Sequence, residues 1–190
     1  MRWLDRRLQA ERIRRVRPYA SGARVLDIGC ADGALFRLLD ASLSGGVGID
    51  QDPVPASTPK YRYVQGDFPA ALPGGEQYDL VTALAVVEHI PERDQPAFAA
   101  ACLKVLKDGG RLVMTVPSSR VDDLLRVLKA IRFVDGMADH QHYGFEPGHV
   151  PTTFKAAGFA LERHSTFQLG LNNLFVFRKP AVGESNFRAS

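Results

Sequence analysis

The run Val25-Leu26-Asp27-Ile28-Gly29-Cys30-Ala31-Asp32-Gly33, followed by Val47-Gly48-Ile49-Asp50, constrains this chain more than any other feature. The first segment reads as a buried strand that ends in a glycine turn and opens a helix. The second reads as another buried strand, finishing on an acid. A glycine turn lets backbone approach a ligand closely. An acid at the end of the next parallel strand can accept both hydrogens of a ribose diol. Together they describe a pocket for a nucleoside-bearing cofactor at the carboxyl ends of a parallel sheet.

The remaining pattern alternates strand and helix, which predicts an α/β fold built on a parallel sheet. Helices are expected over residues 2–17, 33–40, 94–107 and 150–157, and strands over 25–28, 46–50, 61–65, 78–84 and 111–116. In the second helix Leu35, Leu38 and Leu39 are expected inward; in the third, Asp94 is expected to cap the start and Gly109 to close the end. Ser118 or Ser119 is expected to cap a further helix carrying Val121, Leu124, Leu125, Leu128 and Ile131 on one face. Three prolines within Asp52–Pro59 rule out a regular crossover helix there. Residues 159–165 and 172–178, joined by Gln168-Leu169-Gly170, predict an antiparallel hairpin that closes a seven-stranded, mostly parallel sheet with helices on both faces. One domain over 1–180 is expected, with residues 1–20 as a helical lid and 181–190 as a frayed tail.

Composition narrows the function classes. Two cysteines, Cys30 and Cys102, give neither a disulfide framework nor metal-ligand spacing, and no apolar run reaches transmembrane length, which fits a cytoplasmic protein. The net charge of +3 hides an asymmetry: eight arginines against two acids give residues 1–24 a charge of +6. Such a segment reads first as a solvated helix packed by Trp3, Leu4, Leu8, Ile13 and Val16. A peripheral contact with a membrane surface, or with another anionic partner, stays open. Oligomeric state is not legible.

The glycine spacing Gly29-Cys30-Ala31-Asp32-Gly33 departs from the Gly-x-Gly-x-x-Gly of dinucleotide sites, and Asp32 places negative charge where a pyrophosphate wants donors. A cofactor without phosphate fits better. The whole arrangement resembles the class I S-adenosylmethionine-dependent methyltransferases, through five segments in order: residues 25–33, Gly48-Ile49-Asp50, Gln65-Gly66-Asp67-Phe68, Tyr78-Asp79-Leu80-Val81 running into Glu88-His89-Ile90-Pro91, and Leu106-Lys107-Asp108-Gly109-Gly110-Arg111-Leu112. Ala31 stands where that family often has glycine, which predicts a slightly wider turn.

The resemblance implies a Rossmann-like fold and S-adenosyl-L-methionine as cofactor. It also implies roles. Gly29, Cys30, Ala31 and Gly33 would bring backbone to the methionine part, above Asp27. Asp50, with Gln51 beside it, would accept the ribose hydroxyls. Asp67 would accept from the adenine amine, with Phe68 near the ring. Ala83 and Leu84 would line the methyl-bearing end. Candidate bases are His89, His142 and Tyr143, with Glu88 and His140 also weighed; surface or capping roles compete with each.

At the fourth segment the chain is similar to ubiquinone-biosynthesis O-methyltransferases. In those a glutamate three positions before Glu88 helps hold a divalent metal; here Ala85 stands there, so no metal site is expected. Thr82-Ala83-Leu84-Ala85-Val86-Val87 lacks the polar acceptor-binding groups of amino-methylating DNA enzymes, and neither cysteine follows a proline, which disfavours a nucleic-acid acceptor. The leading expectation is methyl transfer to a small-molecule or lipid-intermediate acceptor, at oxygen. Alternatives are an RNA or protein methyltransferase using the basic N-terminal helix, and a non-catalytic cofactor-binding module.

Overall fold

The computed structural model describes residues 3–118 and 147–181. Seven strands form one sheet in the order β3-β2-β1-β4-β5-β7-β6. They are β1 (Ala23–Ile28), β2 (Leu43–Asp50), β3 (Tyr61–Gln65), β4 (Tyr78–Leu84), β5 (Leu106–Pro117), β6 (Ala160–Phe167) and β7 (Asn172–Arg178). β1 pairs in parallel with β2 and β4, β2 with β3, and β4 with β5; β7 runs antiparallel to both β5 and β6. The expected Rossmann-like, mostly parallel sheet is present.

Helices α1 (Trp3–Val16) and α2 (Ala34–Leu39) cover one face, and α3 (Gln95–Val105) and α4 (Val150–Ala156) the other. The first face buries Ile13, Val16, Leu35, Phe36 and Leu39 over Val25, Leu80 and Val113. The second buries Phe98, Cys102, Val150 and Phe154 over Leu26, Val81, Leu112 and Phe177. Each such fully buried side chain contributes about 1.5–3 kcal/mol. Between β2 and β3 the proline-rich segment contains no helix. Instead Ser57 and Thr58 cap β3 through hydrogen bonds from the Tyr63 and Tyr61 amides, at 2.9 and 3.0 Å.

Three expectations fail. Leu38 is 58% exposed, because the inner arc of α2 is set by Phe36, whose ring stacks on Tyr61 at 4.5 Å. Asp94 makes no capping hydrogen bond through its side chain. Gly109 does not close α3: Leu106 is claimed by the sheet, opposite Tyr78, and the Gly109 amide bonds instead to the Lys179 carbonyl at 3.0 Å. Ser118 is described, and its amide bonds to the Leu171 carbonyl at 2.9 Å while its Oγ has no partner among the described residues; Ser119 and the helix expected to carry Val121 to Ile131 lie outside the described residues.

The chain runs outward from β1 through β2 to β3, then returns to start β4 on the other side of β1. This reversal splays the connections apart and opens a crevice at the carboxyl ends of β1 and β4, the preferred ligand position of open α/β sheets.

Candidate active site

The residue that follows β1 is Gly29, and the residue that follows β4 is Ala85. Two cavities open at this point and both are walled by these two residues.

The larger, about 430 Å³, has Ile49, Asp50 and Gln51 from the end of β2, Gly66 and Phe68 after β3, Val86, His89 and Ile90 after β4, and Phe98 from α3. Phe68 and Phe98 meet edge to face at 5.6 Å. This cleft offers apolar, partly aromatic walls with one carboxylate at its edge, which suits a flat heterocycle carrying a diol. The Asp50 carboxylate accepts from the Ala31 amide at 2.8 Å and from the Asp52 amide at 3.0 Å, leaving lone pairs for a ligand.

The smaller cavity, about 270 Å³, is walled by Asp5, Gln9, Arg12 and Ile13 of α1, by Asp27, Cys30 and Ala31 at the turn, and by Leu35 and Leu84. Asp27 is only 4% exposed and accepts from the Thr82 hydroxyl at 2.6 Å. Burial pushes its carboxyl up to about 7; the Thr82 hydrogen bond opposes this and the charge of Asp50 adds to it. Arg12 is half-buried, and its Nε has no hydrogen-bond partner. Burial holds its pKa below the ordinary arginine value, against the attraction of Glu88. Glu88 is 4% exposed, with Oε2 unpartnered, and burial pushes its carboxyl up to about 7 against its own amide and Arg12. A buried carboxylate and an unsatisfied guanidinium facing one small cavity suit a zwitterionic ligand group.

The turn itself is tied down by backbone. The Gly29 amide bonds to the Ile49 carbonyl at 2.8 Å, and the Gly33 amide to the Cys30 carbonyl at 2.8 Å. Gly29 has φ +74°, and a Cβ there would lie 2.5 Å from Val86 Cγ2, so this position has room only for hydrogen. Ala31 is accommodated by a left-handed backbone, φ +44°, at a cost of about 1–2 kcal/mol. Asp32 accepts from Arg37 and Gln9, the latter at 3.3 Å, which latches α1 to the turn.

Of the sequence-derived candidates, Gly29, Asp50, Gln51, Phe68 and His89 wall the larger cleft, and Asp27, Gly29, Cys30, Ala31 and Leu84 the smaller cavity. Burial pushes the Cys30 thiol up to about 12, so it stays neutral. Gly33, Asp67 and Ala83 wall neither cavity. Gly33 packs under the Tyr63 ring, Ala83 is fully buried behind the surface, and exposed Asp67 accepts from Gln51 Nε2 at 2.5 Å. His142, Tyr143 and His140 lie outside the described residues. Among the described residues no cluster of three or more His, Cys, Asp or Glu is arranged to hold a metal ion. Arg12, Ala85, Ile90 and Phe98 were not picked out from the sequence as cavity-lining residues. For Arg12 the signal was present: it falls four residues after Leu8 and four before Val16, on the inward face of α1.

A Rossmann-like sheet with this divided pocket at its switch point defines the class of S-adenosylmethionine-dependent methyltransferases. The chain belongs to the Methyltransferase domain family, which matches residues 2–164. S-adenosylmethionine is its cofactor and methyl transfer its reaction. Among curated relatives it is similar to the ubiquinone biosynthesis O-methyltransferase of Methylococcus capsulatus, 24% identical over 85% of this chain and 79% of that one. The corresponding enzyme of Stutzerimonas stutzeri is 28% identical over 58% of this chain and 56% of that one, so the match there spans little more than half the relative's length. The fold is shared with the magnesium protoporphyrin IX methyltransferase of Synechocystis PCC 6803, solved with bound SAH, at TM-score 0.67, 18% identity, 94% of this chain and 88% of that one. It is shared too with a TehB-like methyltransferase of Corynebacterium glutamicum, at TM-score 0.66, 22% identity, and 92% and 93% coverage.

Proposed function

We propose that the cofactor spans the two cavities, and that the chain transfers its methyl group to the oxygen of a small-molecule or lipid-intermediate acceptor. The observation that carries the first half is the pairing of contents: apolar walls and Asp50 in the larger cleft, Asp27 and Arg12 in the smaller, joined at Gly29 and Ala85. Adenosine fits the first set, with Asp50 accepting the ribose hydroxyls. The amino-acid end fits the second, with Asp27 facing the ammonium and Arg12 the carboxylate. The sulfonium then lies at the junction. Among the residues that wall the smaller cavity, Gly29, Cys30, Ala31 and Leu84 line the methionine arm. Gln51 is assigned to the cofactor through its hold on Asp67, and Asp67 and Phe68 to the adenine edge. Gly33 and Ala83 are assigned a supporting role under the turn and β4.

An acceptor oxygen is supported by the names of the relatives, which are O-methyltransferases. The sulfonium is already activated, so the protein chiefly aligns donor and acceptor and excludes water. His89 walls the nucleoside side with Phe68 and Ile90 and is assigned there; His142 and Tyr143 are the proposed acceptor-facing groups. Residues 1–180 are assigned to one domain with residues 1–20 as its lid, in a cytoplasmic protein; the expected tail, 181–190, lies almost wholly outside the described residues. No helix among the described residues is long and apolar enough to cross a membrane.

Calorimetry with S-adenosylmethionine, followed by product mass on a panel of phenolic and prenylated phenolic acceptors, tests this reading. A mass gain of one methyl on an acceptor oxygen is expected. Turnover only on RNA or protein, with strong salt dependence, overturns the acceptor class. Cofactor binding with no turnover on any acceptor favours a non-catalytic module.

A further inference from the structure

Gly29 and Ala85 are the two residues that both cavities share, so they stand where the two cavities adjoin. On one side the wall is bare backbone, since any side chain at Gly29 would run into Val86. On the other it is a single methyl group. Ala85 holds φ +59°, a conformation that L-residues with side chains rarely adopt. The strain is held in place by the hydrogen bond from its amide to the Thr115 carbonyl, 2.9 Å, at the end of β5. Strained backbone of this kind persists where the surroundings over-determine it.

We propose that Ala85 is a specificity-determining residue that sets the bore of the neck where the cavities adjoin, admitting the narrow C–S–C link of the cofactor and excluding ligands with a bulkier group at that point. This rests on the reading that the cofactor spans both cavities. Ala85 makes no polar contact with any ligand under this proposal. It acts by size, so a larger side chain there narrows the junction more than it fills either cavity.

The separation gives a direct test. Adenosine occupies the larger cleft alone, whereas S-adenosylhomocysteine must cross the neck. Asn tolerates a left-handed backbone, so Ala85→Asn adds bulk without a new strain. In Ala85→Asn, the loss of S-adenosylhomocysteine affinity by calorimetry is expected to exceed the loss of adenosine affinity at least tenfold, a split that corresponds to about 1.4 kcal/mol. A folded Ala85→Asn protein that binds S-adenosylhomocysteine as tightly as the unmodified chain overturns the gate. Equal weakening of both ligands also overturns it, because the defect is then general. Ala85→Gly, which relieves the strain and is safe for folding, supplies the second arm: the penalty for the S-ethyl analogue of the cofactor relative to S-adenosylmethionine is expected to shrink by threefold or more. An unchanged penalty counts against the gate. Failure of the spanning reading looks different: the unmodified protein then binds S-adenosylhomocysteine no tighter than adenosine.

Discussion

The carboxylate of Asp50 accepts the backbone N–H of Ala31 at 2.8 Å, so the acid that ends β2 also holds the turn that ends β1. The same side chain edges the larger cleft. Removing it therefore strips a ligand acceptor and loosens the turn together. Asp50→Ala is expected to weaken S-adenosylmethionine binding by about 1–3 kcal/mol, the cost of leaving polar groups unpaired. Unchanged affinity by calorimetry in a folded variant would remove Asp50 from the site.

Asp27 and Glu88 give the site an unusual acid balance. Both carboxyls are pushed up to about 7 by burial, from ordinary values of 3.8 and 4.5. For a group raised on folding, the contribution to stability is fully present below the unfolded value and is lost as pH rises through the folded one. The window is therefore about pH 4 to 7. Glu88→Gln cannot ionise, so its stability relative to the unmodified protein is expected to rise across that window and level off above it. Denaturant titrations at pH 4.5, 6 and 8 measure the slope. A difference that stays flat with pH contradicts the buried, ionisable Glu88.

Much of this fold was legible because strand ends are marked by chemistry. Tyr61–Gln65, Tyr78–Leu84 and Asn172–Arg178 were bounded correctly, and the prolines of residues 53–59 announced the missing helix. What failed were positions where a partner distant in sequence decides. Leu106 looked helical until Tyr78 drew it into the sheet, and Leu38 looked inward until Phe36 stacked on Tyr61. The site divides in the same way. Asp50 and Phe68 wall the larger cleft. Asp67 lies outside both cavity walls and accepts from Gln51, a side-chain pairing that the sequence does not mark. Arg12 was hidden in a run of arginines, since charge alone does not say which guanidinium faces inward.

Arg12 carries the next prediction. Its unpartnered Nε and its place on the wall of the smaller cavity make it the natural contact for a carboxylate. Arg12→Ala is expected to weaken S-adenosylhomocysteine binding by about 1.5–3 kcal/mol, the range for hydrogen bonds to charged groups, and to leave adenosine affinity unchanged. Equal loss for both ligands, measured by calorimetry, assigns Arg12 to packing alone.

Metal-independent turnover is expected on the grounds of two side chains. Ala85 offers no side-chain ligand atom, and Glu88 is 4% exposed, with burial favouring its neutral form. Turnover on a matched acceptor is expected to continue at full rate in excess chelator. Loss of activity that magnesium restores would contradict this.

The last prediction concerns α1, whose two halves are held differently. Ile13 and Val16 are buried, and the Arg15 guanidinium lies 5.0 Å over the Phe167 ring. This C-terminal half is part of the core. The N-terminal half carries exposed Asp5, Arg6 and Arg7, and polar contacts at the surface tie it to the body, among them Gln9 to Asp32 at 3.3 Å and Gln168 to the Leu8 carbonyl at 3.3 Å. Segments with few buried contacts open at low cost, and their closure can exclude water from a reacting pair. Amides of residues 5–11 are therefore expected to gain hydrogen-exchange protection when S-adenosylhomocysteine and acceptor bind, while those of residues 13–16 change little. Because Gln9 and Arg12 wall the smaller cavity, the gain should vanish with adenosine, which leaves that cavity empty. Protection of residues 5–11 that is the same with no ligand, with adenosine and with both ligands would mean that α1 is a fixed wall and not a lid.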